Sequence, residues 1–405
     1  MIDEKIKKLG WFVAFMVVSN STTIMPFSWG IFYYLILVFT IFYIICAERI
    51  ELEGTMLLLF LICSLSILGN NVPAFFNSWS RLGTFILLTS LFSYVIRSEK
   101  SVAFRVKMFI SVSKLLVIVT FISIIYFSLG MGYGHRLNPW FQGITVHSMI
   151  MGPVAAMSNL FCLYQLQYEQ RNRYIRWGLY FLIIGGFICI LQTGSRSALI
   201  GAVISVIAFM FYIDKTNFLN LIKKYVWVLT LLLASSPIWL IYTDKIEKKN
   251  AGISQLNTQS RDVHWEQRII EWKSSPIIGI GFGAVDSSAK SSNYDERTGG
   301  VETGSSWLSV LSMTGLLGFI CVSFIIINAY RNTLALLNIS RATGSYLLGI
   351  IIFFIFHMMA EGYIYAGGNF LNTQFWLVIG VIYGITCYPE YANVLEEELQ
   401  LRRQE

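Results

Sequence analysis

The chain has 405 residues, 55% of them hydrophobic, 15% aromatic and 13% charged, with a mean hydropathy of +0.62. This lies outside the soluble globular range and points to an integral membrane protein of the all-α class. The net charge of +7 does not imply a nucleic-acid partner, because the basic residues sit beside the ends of apolar runs, where membrane topology alone places them.

A hydrocarbon core of about 30 Å takes roughly 20 helical residues to cross. Apolar runs of about that length fall near residues 9–27, 29–47, 55–70, 80–96, 107–130, 147–166, 175–192, 197–213, 225–243, 304–329, 345–365 and 369–387, which predicts about twelve transmembrane helices. Residues 1–243 then hold helices one to nine, 244–303 an extracytoplasmic loop, 304–387 helices ten to twelve, and 388–405 a charged cytoplasmic tail. The first run follows "MIDEKIKK" without an A-x-A-like cleavage site, so it reads as a retained span rather than a signal peptide. With the N-terminus inside, the short inner segments carry most of the lysine and arginine, among them Lys5, Arg97, Lys100, Arg105, Arg171, Lys223 and Arg331. Both termini are therefore expected in the cytoplasm of a multi-pass protein of the bacterial inner membrane. The cysteines at 46, 63, 162, 189, 321 and 387 lie in or at the ends of spans without a C-x-x-C pair, and read as small apolar residues rather than a disulfide or metal framework.

Three arginines run against the topological bias: Arg136 in "GYGHRLNPW", Arg196 in "LQTGSRSALIG" and Arg261 in "SRDVHW" all fall on the outer side. A cation at mid-bilayer costs about 2.5–3.5 kcal/mol on insertion scales and much less at the interface, so Arg196 alone reads equally well as a snorkelling anchor. Three such exceptions on one face suit one anion-binding site, since a guanidinium stays charged and bridges two phosphate oxygens. The loop at 244–303 is far longer than an ordinary connection. In it, "DVHWEQRIIEWKSSPIIGIGFG" predicts a short amphipathic helix, its apolar face given by Val263, Ile269, Ile270 and Trp272, ended by Pro276 and the following glycines. This helix either lies on the membrane surface or caps the bundle as a lid.

"TGSRSALIG", then "SRDVHWEQ…SSPIIGIGFGA", "ETGSSWLSVLSMTGLLG" and "HMMAEGYIYAGGNFLNTQFW" together resemble the O-antigen polymerase and ligase superfamily of bacterial envelope glycan assembly. The resemblance is concentrated at residues 190–320 and 357–376. It implies a multi-helix inner-membrane enzyme that takes a glycan from undecaprenyl diphosphate and attaches it to an acceptor sugar at the outer face of that membrane, with no cofactor, nucleotide sugar or required metal. The implied partners are the undecaprenyl-diphosphate-linked oligosaccharide, the bilayer, and a chain-length regulator and flippase of the same pathway. Arg196 and Arg261 correspond to the family's arginines that engage the lipid diphosphate. Ligases of the superfamily carry a histidine where this chain reads Glu302-Thr303-Gly304-Ser305-Ser306-Trp307, so the resemblance leans toward a repeat-unit polymerase of O-antigen, capsule or exopolysaccharide.

Such a transfer needs positive charge for the departing diphosphate and a base for the attacking hydroxyl. Arg196 and Arg261 are assigned the first task and Glu302 the second, with Arg136, Glu361 and His357 completing the donor site. Glu361 is expected near the outer end of the eleventh span, with His357 one helical turn earlier on the same face. Its alternative role is an ion pair with an outer arginine, and His357 and His147 also read as hydrogen-bonding residues of the bundle. A transporter would share the span count, but no matched pair of Gly/Pro-broken spans is evident.

Overall fold

The computed structural model describes residues 4–25, 29–70, 77–134, 140–167, 173–214, 261–285 and 304–399. The helices among them are α1 (Glu4–Ser19), α2 (Ile31–Ala47), α3 (Gly54–Leu68), α4 (Ser78–Phe92), α5 (Glu99–Ser128), α6 (Ser148–Gln165), α7 (Arg173–Gln192), α8 (Arg196–Asp214), α9 (Arg261–Ser274), α10 (Ser306–Leu336), α11 (Arg341–His357), α12 (Phe370–Cys387) and α13 (Glu390–Leu399). Helices α5, α7, α8, α10 and α12 are long and apolar enough to cross a membrane, and α2, α3 and α11 are shorter apolar helices. The fold is an all-α, polytopic membrane architecture. The ninth expected span, 225–243, lies outside the described residues.

Helix α5 packs against α1, α6, α7, α12 and α13, and α12 is the most enclosed of the five long apolar helices. Burial follows lipid contact rather than polarity: Phe39 of α2 and Ile320 of α10 are 72% and 56% exposed, whereas Ser66, Thr120, Asn159 and Gln374 lie inside. In hydrocarbon an outward-facing apolar side chain is already in its preferred solvent. Small residues set the close approaches: a Cβ on Gly186 of α7 falls 2.1 Å from Asn159 Oδ1 of α6, and one on Gly201 of α8 falls 3.1 Å from the Phe353 ring of α11.

Several expected boundaries shift: α1 ends at Ser19 instead of 27, α5 begins at Glu99 instead of 107 and α10 runs to Leu336 instead of 329, and two further shifts have a visible cause. The fourth span stops at Phe92 instead of running to 96, because Ile96–Arg97 pairs antiparallel with Glu51–Leu52 and the buried Arg105 donates to the carbonyls of Leu91 (3.0 Å) and Ile96 (2.8 Å). The eleventh stops at His357 instead of 365, because the chain folds back to bind the start of α10. Tyr363, Ile364 and Tyr365 are buried, but in irregular backbone enclosed by protein. The cysteines divide too: those at 63, 162, 189 and 321 are buried as expected, while Cys46 and Cys387 are exposed.

Helix α10 is broken at Gly315 (φ 64°, ψ −164°), nine residues after its first. The segment after α9 fills the break. Ile280 and Gly281 donate their backbone N–H to the carbonyls of Ser312 (2.8 Å) and Met313 (3.2 Å), and Leu316 and Leu317 donate to the carbonyls of Pro276 (2.8 Å) and Ile277 (3.2 Å). Backbone groups freed by the kink are thus satisfied by a second irregular strand, which lets non-helical chain exist at this depth. Asn70 donates to Gly279 O at 2.7 Å, and Phe282 packs between Phe85 and Tyr365, so the wedge also ties α3, α4 and the loop before α12 together.

Candidate active site

The loops after α1, α5, α7 and α11, with the wedge and the start of α10, gather at one end of the bundle. Thr23 donates to Ile144 O and Val146 to Ser21 O, Phe141 donates to Gln192 O, and the Trp140 ring lies over Gly194. A Cβ on Gly194 falls 2.6 Å from that ring, and its φ is +67°, so glycine is required on both counts.

The turn between α7 and α8 uses its hydroxyls on itself. Thr193 Oγ1 donates to Ile190 O at 2.7 Å and accepts from Ser195 N at 3.3 Å, and Ser195 Oγ accepts from Ala198 N at 3.3 Å, the geometry of a helix N-cap. Thr193, Ser195 and Ser197 are buried, and Arg196 between them is exposed. It is the first residue of α8, where the helix dipole already presents positive charge. A cation there is disfavoured by about 0.3–1 kcal/mol unless an anion is shared; guanidinium and N-terminal amides together make an anion site.

Antiparallel packing brings α8 against α11: Gly201 meets Phe353, and a Cβ on Gly349 falls 3.3 Å from Ser205 O. That register sets the first turn of α8 level with the last turn of α11, near His357. His357 is fully buried, stacked on Phe353, with Nδ1 3.2 Å from the Tyr363 hydroxyl. These contacts are those of the hydrogen-bonding alternative considered for it. The position of Glu361 differs from the expectation: it lies in the loop after α11, not in a helix one turn beyond His357, and is half-buried. Its carbonyl accepts from Ser306 Oγ at 2.7 Å and from Ser306 N at 3.0 Å, and Ser306 Oγ accepts in turn from Tyr363 N at 3.0 Å. Burial, reinforced by the Glu361 charge, holds the Tyr363 phenol well above the ordinary tyrosine range. His147, the other histidine considered, caps α6 by accepting from Met149 N at 3.1 Å.

Helix α9 forms where predicted, with Ile269 and Ile270 of its apolar face outward. Ile269 and Ile270 are 38% and 59% exposed, and the buried face is polar: His264, Arg268 and Glu271. Arg268 Nη2 pairs with Glu271 Oε1 at 2.7 Å, and Arg268 Nη1 lies 3.5 Å from Ser312 Oγ beside the α10 break. Trp265 Nε1 donates to Gly304 O at 3.0 Å, fixing α9 to the entry of α10. The helix therefore packs on the bundle as a lid does. The spacing of His264, Arg268 and Glu271, four and three residues apart, was the overlooked signal for this polar face.

The structure thus brings Arg196, Ser306 and Glu361 to one end. Arg261 opens α9, and its side chain lies outside the described residues, as do Arg136 and Glu302. Among the described residues no group of three or more His, Cys, Asp or Glu side chains is placed to hold a metal.

A family model described as O-antigen ligase matches residues 179–323, from α7 through α8, α9 and the wedge to the middle of α10. No curated protein matches the chain.

Proposed function

We propose, from the match of residues 179–323 to the O-antigen ligase family model, that the protein polymerises glycan repeat units linked to undecaprenyl diphosphate, at the outer face of the bacterial plasma membrane. The observation that carries the reading is Arg196, an exposed guanidinium at the first position of α8 among hydroxyls already engaged by their own turn. Arg261 stands likewise at the first position of α9. In the reaction, the acceptor hydroxyl oxygen bonds to the anomeric carbon of the donor glycan as the bond from that carbon to the diphosphate oxygen breaks. Glu302 takes the hydroxyl proton, and Arg196, Arg261 and Arg136 stabilise the charge on the departing lipid diphosphate. The absence of histidine from Glu302–Trp307 favours a polymerase over a ligase.

The test is purified protein with lipid-linked repeat units. A product ladder supports a polymerase, transfer of a preformed chain to lipid A-core supports a ligase, and vesicle-to-vesicle movement without a covalent product supports a transporter. Arg196→Ala abolishes product while the protein stays in the membrane, and Arg196→Lys restores little, because an ammonium lacks the bidentate fork. Wild-type product from Arg196→Ala removes the diphosphate role.

A further inference from the structure

A cavity of about 160 Å³ opens at the same end of the bundle, between α1, α2, α6 and α12. Asn20, Tyr33, Asn369 and Thr373 supply amide and hydroxyl groups to its wall, Ile150 and Phe370 supply apolar surface, and among the described residues no lysine, arginine, aspartate or glutamate lines it. We propose that this cavity is the acceptor subsite, holding one uncharged sugar ring at the receiving end of the glycan; the assignment of an acceptor rests on the glycosyl-transfer reading above.

Three observations carry it. The lining pairs hydrogen-bonding groups of both polarities with flat and branched apolar surface, the combination a pyranose presents, with hydroxyls at its rim and C–H groups on its faces. A phosphate or uronate calls for a cation that this wall lacks. Its volume is well below the roughly 300–1,000 Å³ of clefts that enclose drug-sized ligands, so it takes a single ring and leaves the rest of a glycan outside. Its rim is also continuous with the Arg196 end through two loops. The loop that lays Trp140 on Gly194 reaches the cavity at Val146, and the loop that holds Glu361 against Ser306 reaches it at Gly368 and Asn369. An uncharged polar subsite and a cationic one, bridged by shared loops, suit a reaction whose acceptor end is neutral and whose leaving group is a diphosphate.

The experiment uses the full-length protein in nanodiscs and saturation-transfer NMR with the methyl glycosides of galactose, rhamnose, N-acetylglucosamine and glucuronic acid, with glycerol 3-phosphate as the headgroup control. At least one neutral glycoside shows transfer stronger than glucuronate or glycerol phosphate. Ile150→Phe, which fills the cavity, and Val146→Trp, which crowds its exposed rim, each reduce that signal at least fivefold; Arg196→Ala leaves it unchanged. Asn20→Ala, an exposed position outside the packed core, keeps the test decisive if Ile150→Phe misfolds, and lowers the signal at least twofold. The subsite is overturned if no neutral glycoside shows transfer, if the signal survives the rim and filling variants, or if Arg196→Ala removes it. Ladder formation is scored separately. A wild-type protein that binds sugar in the cavity without making a ladder overturns the polymerase reading and leaves the sugar site; a ladder unaffected by all the cavity variants does the reverse.

Discussion

Arg268 and Glu271 lie 2.7 Å apart with side chains only 3% and 1% exposed. Burying an ion pair stabilises little by itself, but removing one partner strands the other charge at a cost of about 3–5 kcal/mol. Glu271→Ala is therefore expected to lower the thermal midpoint of the detergent-solubilised protein sharply. The double variant Arg268→Met with Glu271→Leu stays near wild type, since hydrophobic replacement of a whole pair is often neutral; a double variant as unstable as the single one refutes this. Catalytic acids separate by a different measurement. Glu302→Gln keeps shape but loses proton acceptance, so the polymerisation rate falls while donor-lipid affinity holds. A normal rate in that variant sinks the assignment of the base. Glu361 binds Ser306 through its backbone carbonyl, a contact an amide side chain leaves intact, so Glu361→Gln weakens donor affinity rather than folding if its carboxylate faces an arginine. Arg196 stood out in the sequence as one of three outer arginines against the topological bias, since alone it reads equally well as a snorkelling anchor. Arg268 did not, because the reading of α9 followed its apolar face and left the polar one, with His264 and Glu271, unexamined.

The wedge and the broken α10 depend on one another through glycine. A Cβ on Gly315 falls 2.3 Å from the carbonyl carbon of Ile277, and one on Gly279 falls 2.3 Å from that of Met313; both residues have positive φ. A backbone neighbour cannot swing aside as a side-chain tip can, and the left-handed conformation adds about 1–2 kcal/mol for an L-residue. Gly315→Ala is expected to destabilise the protein by at least about 2 kcal/mol and to release the segment at 275–285 to added protease. Gly83→Ala in α4, where a Cβ meets nothing within 4 Å, is neutral or stabilising by up to about 1 kcal/mol. Equal behaviour of the two variants, read by thermal unfolding and limited proteolysis, rules the wedge out as a structural tie. Hydropathy revealed most of the long helices, because length and apolarity are what crossing a bilayer demands. It extended the eleventh span through Tyr363–Tyr365 because it measures burial and carries no information on whether buried backbone is helical. Asn372 and Trp376 donate to the carbonyls of that loop, a non-local pairing that no local pattern in the sequence announces.

The two ends of the bundle differ in chemistry, and the proposed function needs one orientation of that difference across the membrane. At the end opposite Arg196, Arg97 pairs with Glu53, Lys100 lies 3.9 Å from Glu48, and Arg105 caps the last carbonyls of α4. Helix α13 docks at this end too, with Tyr391 donating to Glu99 Oε1 at 3.3 Å, so the C-terminal segment belongs to the same face. These cations serve the fold as well as topology: removing Arg105 orphans buried acceptors at about 1–3 kcal/mol each. By the positive-inside rule, charge concentrated on one face is expected in the cytoplasm; the proposed function accordingly needs the Arg196 end and the cavity outside. The expected outcome follows directly. With the exposed Cys46 and Cys387 replaced by serine, Val146→Cys reacts with a membrane-impermeant maleimide in intact cells, and Asn393→Cys reacts only after the membrane is opened. Val146 is 48% exposed on the cavity rim, and Asn393 is exposed on α13, so reagent access rather than burial decides the result. The reverse labelling pattern turns the molecule over and places Arg196 in the cytoplasm, where no polymer is assembled by a reaction at the outer face, and the proposed function falls with it.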